Sequence, residues 1–369
     1  MTLRQLEIST SQGRIDVEFS KLTVLTGSPN VGKSSLLKII NKIFENIDKI
    51  YQKVKITKKS IIKISIEIPQ DKLKIIKRRF SKIWEVDLSD WDGTVQIIYN
   101  IDKDTYETIF KIPIVDEPIF QVSYRDGEKI IIKKPIEVEI KDKSVSILDI
   151  IKSIRDMPQT HLFSTYEEEL EIILGLIESI VTSLKSVKIY RIGPYIDYSS
   201  CIDMRDVWST YSDDYVGIHG ENTLVALSRA FADGRLWPNL AKLLSYLEKI
   251  GISRVRCGIV NGKLSITYIS DEGLVTCPEL SCSIRSLITY YTQLMLAQKN
   301  SILMIDNFDY CLNEDTCRVL IPMFKDCLSR NVQIILEVHS RDIVSILTRD
   351  AGFREIKIDS RVPTYIKFA

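Results

Sequence analysis

One short stretch carries residue types and a spacing that suit phosphate binding. It reads Gly27-Ser28-Pro29-Asn30-Val31-Gly32-Lys33-Ser34 and is followed by Ser35. Glycines at both ends let the backbone curl so that its N–H groups point at phosphate oxygens. The lysine places a positive charge against the β- and γ-phosphates, and the serine hydroxyl next to it is a Mg²⁺ ligand. The pattern predicts that residues 27–35 bind a nucleoside triphosphate.

The flanking sequence fits this interpretation. Residues 21–26 resemble a buried strand that enters the loop, and residues 35–40 open a helix. A helix N-terminus favours an anion, so strand, loop and helix together form the context that a phosphate-binding loop requires. The alternative is a chance loop rich in glycine and serine, which this context disfavours.

Two further apolar runs end in polar residues. Residues 301–305 precede Asp306, and residues 332–338 precede His339, with a helical pattern at 314–330 between them. Strand, crossover helix and strand predict two parallel strands of one sheet. An acid at the carboxyl end of such a strand completes a Mg²⁺ shell. The predicted metal ligands are Ser34 and Asp306.

The order of these motifs resembles the ABC-type ATPase heads of the SMC, RecF and overcoming-lysogenization-defect (OLD-like) group, also described as AAA-family predicted ATPases. Residues 52–185 show no resemblance to that group. The matching segments are Leu22–Leu37, the signature-like Leu280-Ser281-Cys282-Ser283, the acidic box Asp306-Asn307-Phe308-Asp309, the switch-histidine motif Val338-His339-Ser340 and, more weakly, Ile192-Gly193-Pro194 and residues 216–221.

The resemblance implies an ATPase that uses ATP and Mg²⁺ and forms an ATP-dependent homodimer. Lys33 and Ser34 of one copy would hold the phosphates and the metal. Ser281 and Ser283 of the other copy would complete the γ-phosphate site. The implied catalytic residues are Lys33, Asp306, Asn307, Asp309 and His339.

The chain departs from the group at positions that matter for turnover. The residue after Asp306 is usually an acid that positions the attacking water, but here it is Asn307, which takes no proton at neutral pH. Asp309 is the substitute, and slow hydrolysis is expected. Cys282 and Ser283 replace a small residue and a glycine of the signature. A Q-loop glutamine has no clear place, and Gln121 is the candidate.

Several of these residues also have plainer interpretations. Ser281 and Ser283 could be an ordinary helix N-cap pair, since serine is a preferred cap. His339 could be a strand-end histidine, and Asp309 a solvated loop acid. His219, in the middle segment, could be a plain loop residue.

Composition narrows the class of protein. The chain has 369 residues, of which 45% are hydrophobic, so it can build a full core. Its net charge of +1 gives no overall electrostatic reason to expect binding to nucleic acid or to a membrane. Its seven cysteines form no C-x-x-C pair, which disfavours zinc. No signal pattern or apolar run of roughly 18 residues occurs, which predicts a cytoplasmic protein with no membrane segment and mostly reduced thiols.

The expected fold is α/β: a P-loop NTPase of ABC-ATPase type, with a mixed or parallel sheet core, an antiparallel β subdomain and a helical insertion. Residues 1–150 would form an N-terminal ATPase lobe with the antiparallel insertion. Residues 151–270 would form a helical and β middle segment, and residues 271–369 a C-terminal ATPase lobe. Together they would build one composite ATPase domain.

Three functions stay open. The first is an ATPase acting on DNA in repair, chromosome maintenance or defence, favoured by the basic residues in 53–82, which could also be a solvated face. The second is a slow ATP-gated subunit that controls a separate effector such as a nuclease. The effector would be a separate protein because the roughly 30 residues after His339 leave no room for a nuclease domain. The third is a GTPase, because the loop resembles the "GxPNVGKSSL" of Era-like GTPases; no N-K-x-D motif accompanies it.

Overall fold

The computed structural model divides the chain into two compact units. The first unit comprises Met1–Ser20, Ser28–Lys188 and Ile358–Ala369, and the second comprises Lys21–Gly27 and Ile189–Lys357. The structure describes residues 2–11, 13–49, 54–55, 59–80, 88–102, 105–113, 117–125, 129–134, 138–140, 146–156, 167–203, 214–270, 273–359, 362 and 367–368. Lys53, Lys58 and Lys82 of the basic run in 53–82 lie outside these ranges.

The elements are numbered along the chain. The strands are β1 (Thr2–Thr10), β2 (Gly13–Glu18), β3 (Leu22–Thr26), β4 (Val54–Lys55), β5 (Ser60–Glu67), β6 (Thr94–Ile101), β7 (Thr105–Lys111), β8 (Phe120–Arg125), β9 (Lys129–Lys134), β10 (Val138–Ile140), β11 (Ile189–Ile192), β12 (Cys201–Asp203), β13 (Ser253–Val260), β14 (Lys263–Ser270), β15 (Gly273–Thr276), β16 (Ile302–Ile305), β17 (Gln333–Glu337), β18 (Arg354–Lys357) and β19 (Lys367–Phe368). The helices are α1 (Lys33–Glu45), α2 (Gln70–Phe80), α3 (Ile147–Arg155), α4 (Glu167–Lys185), α5 (Thr223–Ala232), α6 (Trp237–Lys249), α7 (Cys282–Leu296), α8 (Glu314–Ser329) and α9 (Arg341–Ala351).

The first unit is built on an antiparallel sheet with the strand order β10-β9-β8-β7-β6-β5-β1-β2. Its strands alternate between buried apolar and half-buried polar residues, as an antiparallel sheet with one covered face requires. In β6, for example, every second residue from Val95 to Ile101 is buried. A separate pair joins β19 to β4. The predicted antiparallel subdomain in the N-terminal half is confirmed.

The second unit contains a parallel sheet with the strand order β11-β16-β17-β3-β18. All residues of β16 and β17 are buried, as expected for parallel strands covered on both faces. The predicted strand–helix–strand unit is present as β16, α8 and β17. Parallel pairing brings the carboxyl ends of these strands to one edge of the sheet. The mixed α/β class expected from the sequence is confirmed.

A smaller antiparallel sheet completes the second unit. It has the order β12-β14-β13, and β15 also pairs with β14. The turn between β13 and β14 is Asn261-Gly262, with φ values of 52° and 76°. Positive φ at both central residues is the geometry that Asn-Gly hairpin turns adopt, so β13 and β14 form a tight hairpin.

The expectation of mostly reduced thiols is wrong for this structure. Four of the seven cysteines are paired, as Cys201–Cys277 and Cys282–Cys311. These pairs could not be predicted from the sequence, because the partners are 76 and 29 residues apart and follow no spacing motif. Cys257, Cys317 and Cys327 are free thiols.

Among the described helices, none has the length and apolar character that a bilayer span requires.

Glu107 on β7 ties four strands of the first sheet together. Its carboxylate accepts hydrogen bonds from Asn100, Gln121, Ser123 and Lys133. Burial alone would raise the pKa of Glu107, but bonds from Lys133, Asn100 and Gln121 outweigh it and lower the pKa from 4.5 to about 2. The Q-loop candidate Gln121 is therefore engaged within the sheet.

Glu107→Gln is expected to lower the free energy of unfolding by about 1 kcal/mol at pH 7, since a partly exposed carboxylate is screened by solvent. Because the folded pKa lies below the unfolded value, this contribution is present above pH 4.5 and is lost as the pH falls towards about 2. Urea unfolding at pH 7 and at about pH 3 measures it, with Glu248→Gln, an exposed acid, as the control. A loss of the same size at both pH values would contradict this account.

Candidate functional site

Three predicted site segments begin at one edge of the parallel sheet in the second unit. Gly27 directly follows β3, Asp306 directly follows β16, and His339 lies two residues beyond β17. The strands β16, β17 and β3 are direct neighbours and run parallel. The carboxyl edge of an open parallel sheet is where such folds bind ligands.

The predicted phosphate-binding loop has the backbone that its glycines allow. Gly27, Asn30 and Gly32 have φ values of 138°, 65° and 95°. Helix α1 begins at Lys33, two residues earlier than the pattern predicted, and Gly32 is its N-cap. The side chain of Lys33 is folded back on the loop: the residue is 3% exposed, and Nζ donates to the carbonyl oxygen of Ser28 at 3.2 Å.

Gly32 is also in close contact with a residue near the C-terminus of the chain. The N–H of Val362 donates to the carbonyl oxygen of Val31 at 2.7 Å. A Cβ atom on Gly32 would lie 2.7 Å from the Cβ atom of Val362. The sequence pattern explains why Gly32 is a glycine but carries no signal for this second constraint.

Gly32→Ala is therefore expected to destabilise the first unit by about 2 kcal/mol, because it adds both a positive-φ side chain and a steric clash. Urea unfolding of the purified chain measures the loss. In the double variant Gly32→Ala/Val362→Gly, compared with Val362→Gly alone, the clash with the Cβ atom of Val362 is absent and mainly the backbone cost should remain. Gly234→Ala is the control, because no atom lies within 4 Å of the added Cβ atom. Equal stability of Gly32→Ala and the wild type would show that this contact is absent.

Asp306 is fully buried and paired on one side only. Arg191 Nη2 on β11 donates to Asp306 Oδ2 at 3.1 Å, and the Arg191 side chain is 12% exposed. Asp306 Oδ1 is buried with no hydrogen-bond partner, and so is Arg191 Nε. A buried acceptor without a partner is uncommon and calls for an explanation such as an ion. Sequence reasoning missed Arg191.

The donor set at Asp306 fits Mg²⁺ better than a metal held by protein alone. Among the described residues no three His, Cys, Asp or Glu side chains come together as a metal cluster. Mg²⁺ is usually held by one or two carboxylates together with substrate phosphates and water. The partnerless oxygen of Asp306 is a ligand of that kind.

Asn307 and His339, both predicted site residues, are brought together by the structure. His339 Nε2 lies 2.7 Å from Asn307 Oδ1 and 3.3 Å from Glu337 Oε1. Because both neighbouring oxygens are acceptors, Nε2 is the nitrogen that carries the proton. Glu337 is a buried carboxylate at the end of β17 that no sequence motif marks.

Asp309 fastens the loop after Asp306 to the loop after β17. Its Oδ2 atom accepts from the N–H groups of His339 at 2.9 Å and Ser340 at 2.5 Å. Ser340 is the N-cap of α9, so the carboxylate also lies where the helix dipole favours negative charge. This contact gives Asp309 a structural role, whatever its part in catalysis.

The signature-like serines lie at the start of α7. Ser281 is the N-cap, and its Oγ atom accepts from the N–H of Ile284 at 3.4 Å. This contact is the ordinary helix N-cap that was the alternative to a role at the γ-phosphate. The Ser281 residue is exposed. Ser283 is half-buried in the first turn. Cys282 between them is bonded to Cys311.

The two segments with the weaker resemblance to the ATPase group, residues 192–194 and 216–221, pack on each other. The N–H of Gly193 donates to the carbonyl oxygen of Ile218 at 2.6 Å, and a Cβ atom there would lie 2.9 Å from the Ile218 side chain. Glu221 accepts from the N–H groups of Ile218 and His219. His219 Nδ1 lies 3.1 Å from the carbonyl oxygen of Tyr195. These contacts order the loop itself.

Helix α2 carries the second part of the basic run in residues 53–82. It buries Leu73, Ile76 and Phe80, whereas Ile75 is 62% exposed. Its exposed basic residues are Lys72, Lys74, Arg78 and Arg79.

No protein-family model and no curated protein matches the chain. Among solved structures, an SMC head bound to the C-terminal winged-helix domain of ScpA is 14% identical with a TM-score of 0.42, over 93% of this chain and 91% of that one. The SMC head domain from Thermotoga maritima is 12% identical with a TM-score of 0.41, over 97% of this chain and 94% of that one. These likenesses are too weak to assign a function, which must be inferred from the residues themselves.

Proposed function

We propose that the chain binds ATP with Mg²⁺, dimerises around the nucleotide as an ABC-type ATPase head, and hydrolyses ATP slowly. The observation that carries the proposal is the partnerless oxygen of buried Asp306, which lies at the same sheet edge as Gly27, the first residue of the phosphate-binding pattern. A phosphate-binding loop and a strand-end carboxylate are the two halves of a nucleoside triphosphatase site.

The residues of the loop would bind and orient the phosphates. The ammonium group of Lys33, now bonded to the Ser28 carbonyl, would exchange that bond for phosphate oxygens. Ser34 and Asp306 would hold Mg²⁺, which when bound neutralises charge on the β- and γ-phosphates. The N–H groups at the start of α1 would face the anion.

The residues at the end of β16 and β17 set the expected rate. Asn307 can orient a water molecule through its amide but cannot accept a proton from it. The Nε2–H group of His339 is a donor for the γ-phosphate once it leaves Asn307. Turnover should therefore lie below the about 1–10³ s⁻¹ typical of enzymes. Ser281 and Ser283 would complete the site of a second copy.

Turnover of ATP and GTP by the purified chain, together with its mass by light scattering, tests this function. We expect slow, ATP-selective hydrolysis and a dimer that forms only with ATP. Tight ATP binding and dimerisation without turnover would instead favour the ATP-gated subunit of a separate effector. A preference for GTP would contradict the proposal.

A DNA-related role is the second candidate, and helix α2 is the observation that favours it. Its exposed cations form a surface suited to phosphate backbones. This role would make the chain an engine acting on DNA rather than a gate for another protein.

The triple variant Lys72→Glu/Lys74→Glu/Arg78→Glu should weaken duplex DNA binding at low salt by at least about tenfold and lower the slope of log affinity against log salt by about 2–3. Fluorescence anisotropy across a salt series measures both quantities. Lys242→Glu/Lys249→Glu on α6 is the matched control. Unchanged DNA affinity in the triple variant would remove α2 from the interface and leave the gated subunit as the better candidate.

A further inference from the structure

A disulfide joins the segment that carries Ser281 and Ser283 to the loop that follows Asp306. Cys282, the first residue of α7, is bonded to Cys311, and their Cα atoms are 5.6 Å apart. That separation is ordinary for a disulfide. Both cysteines are half-buried, so small reagents can reach them.

We propose that Cys282 and Cys311 form a reversible redox site through which low-molecular-weight thiols and disulfides control the loop 306–311. The bonded form is the resting form. The control of turnover rests on the proposed ATPase function, whereas the control of the loop does not.

The backbone angles of the loop 306–311 indicate that contacts with the surrounding structure hold the loop in its conformation. Asn307 and Cys311 have φ values of 51° and 63°, in the left-handed region. Asparagine tolerates this region, but a cysteine there is strained because its Cβ atom crowds the backbone. Such a conformation persists only where the surroundings determine it. The tethers are the disulfide at Cys311 and the hydrogen bonds that Asp309 accepts from the N–H groups of His339 and Ser340.

Opening the disulfide removes the tether at the strained residue itself. Cys311 can then relax towards negative φ, and the turn that precedes it loosens. That turn is closed by the N–H groups of Tyr310 and Leu312, which donate to the carbonyl oxygens of Asn307 and Asp309. Loss of the disulfide should therefore expose these two amide protons to solvent exchange.

The conformation of the loop 306–311 also determines which group the His339 side chain contacts. In the bonded form Asn307 Oδ1 lies 2.7 Å from His339 Nε2, so the two side chains proposed to face the γ-phosphate are engaged with each other. Loosening the loop at Cys311 weakens the position of Asn307 and releases the Nε2–H group. The reduced form should therefore turn ATP over faster than the bonded form.

The exchange needs only a small thiol as co-reactant. The thiolate attacks one sulfur of the pair, the protein S–S bond breaks, and the other cysteine leaves as a thiolate. A second small thiol then attacks the mixed disulfide. Two electrons and two protons pass to the protein, which ends with two thiols, and the small thiols end as one disulfide. Oxidation by a small disulfide is the reverse reaction.

The remaining cysteines allow a selective test. Burial raises the pKa of the Cys257, Cys317 and Cys327 thiols to about 12, so they stay protonated and unreactive near neutral pH. The other pair, Cys201–Cys277, joins β12 to the chain that follows β15 in the antiparallel sheet. Cys201→Ser is therefore a matched control that removes a disulfide from the same unit.

The experiment compares the full chain after dithiothreitol and after oxidised glutathione. Alkylation followed by peptide mass reports the state of Cys282 and Cys311, and hydrogen exchange reports Tyr310 and Leu312. On reduction we expect exchange at these amides to rise by about tenfold, the equivalent of one lost stabilising contact, and ATP turnover to rise by about fivefold, within the range of a single regulatory coupling. Cys311→Ser should behave as reduced protein under both treatments, and Cys201→Ser should switch like the wild type.

Either of two results would overturn the proposal: free thiols at Cys282 and Cys311 after oxidation, or equal exchange at Tyr310 and Leu312 in both forms. Should Cys311→Ser not fold, Cys282→Ser serves in its place. Exchange that switches without any ATP binding would overturn the proposed ATPase function and keep the redox control of the loop. Exchange that switches while turnover stays equal would overturn the control of turnover.

Discussion

Lys33→Ala is expected to weaken ATP binding by about 100-fold. A charge-assisted bond to a phosphate contributes about 1.5–3 kcal/mol, and this lysine is proposed to contact two phosphates from a site that solvent hardly reaches. The side chain is 3% exposed and already lies over the loop, so little order has to be imposed when the nucleotide binds. Calorimetric titration with MgATP measures the change.

Lys38→Ala is the matched control for that titration. Lys38 lies on the same helix, α1, but its side chain is exposed. Its loss should leave the affinity within about twofold, since an exposed charge is screened by salt. Equal losses in the two variants would mean that net charge, rather than the loop, determines ATP affinity.

Asp306→Asn is expected to lower the free energy of unfolding of the nucleotide-free chain by about 3 kcal/mol. The substitution leaves the guanidinium group of Arg191 buried without a carboxylate, and an uncompensated buried charge is costly. Chemical unfolding of each variant measures the loss. The double variant Arg191→Met/Asp306→Asn should recover most of it, because neither charge remains.

Two further variants separate the ion pair from other effects. Arg191→Met alone should also lose stability, but Mg²⁺ should restore part of it, since a cation can replace the guanidinium group at Asp306. Asp350→Asn, which breaks the exposed pair with Arg318, should cost much less. If Asp306→Asn were as stable as the wild type, the buried pair would not exist in solution.

Those parts of the fold whose hydrophobic residues recur with a regular local period could be predicted from the sequence. The runs before Gly27, Asp306 and His339 are the strands β3, β16 and β17 of one parallel sheet, and the crossover helix α8 lies between β16 and β17. The alternating pattern of the first half likewise predicted its antiparallel sheet. Such patterns report which face of an element is buried, and burial determines the element.

Contacts between distant side chains carry no such pattern. Arg191 pairs with an acid 115 residues away, and Cys282 bonds to a cysteine 29 residues away. Val362 reaches the loop at Gly32 from the other end of the chain. Each of these pairs is fixed by the packing of whole elements, which a single sequence does not specify. Glu337 was missed for a different reason: it belongs to no motif and stands at the end of a fully buried strand.

Equilibrium titration of the purified chain with ATP, with and without Mg²⁺, tests the central claim most directly, with GTP as the competitor. The proposal predicts one ATP per chain, binding that Mg²⁺ strengthens in the wild type but not in Asp306→Asn, and no displacement by equimolar GTP. Absence of binding up to millimolar ATP, or displacement by GTP, would contradict the assignment of residues 27–35 and Asp306 as an ATP site.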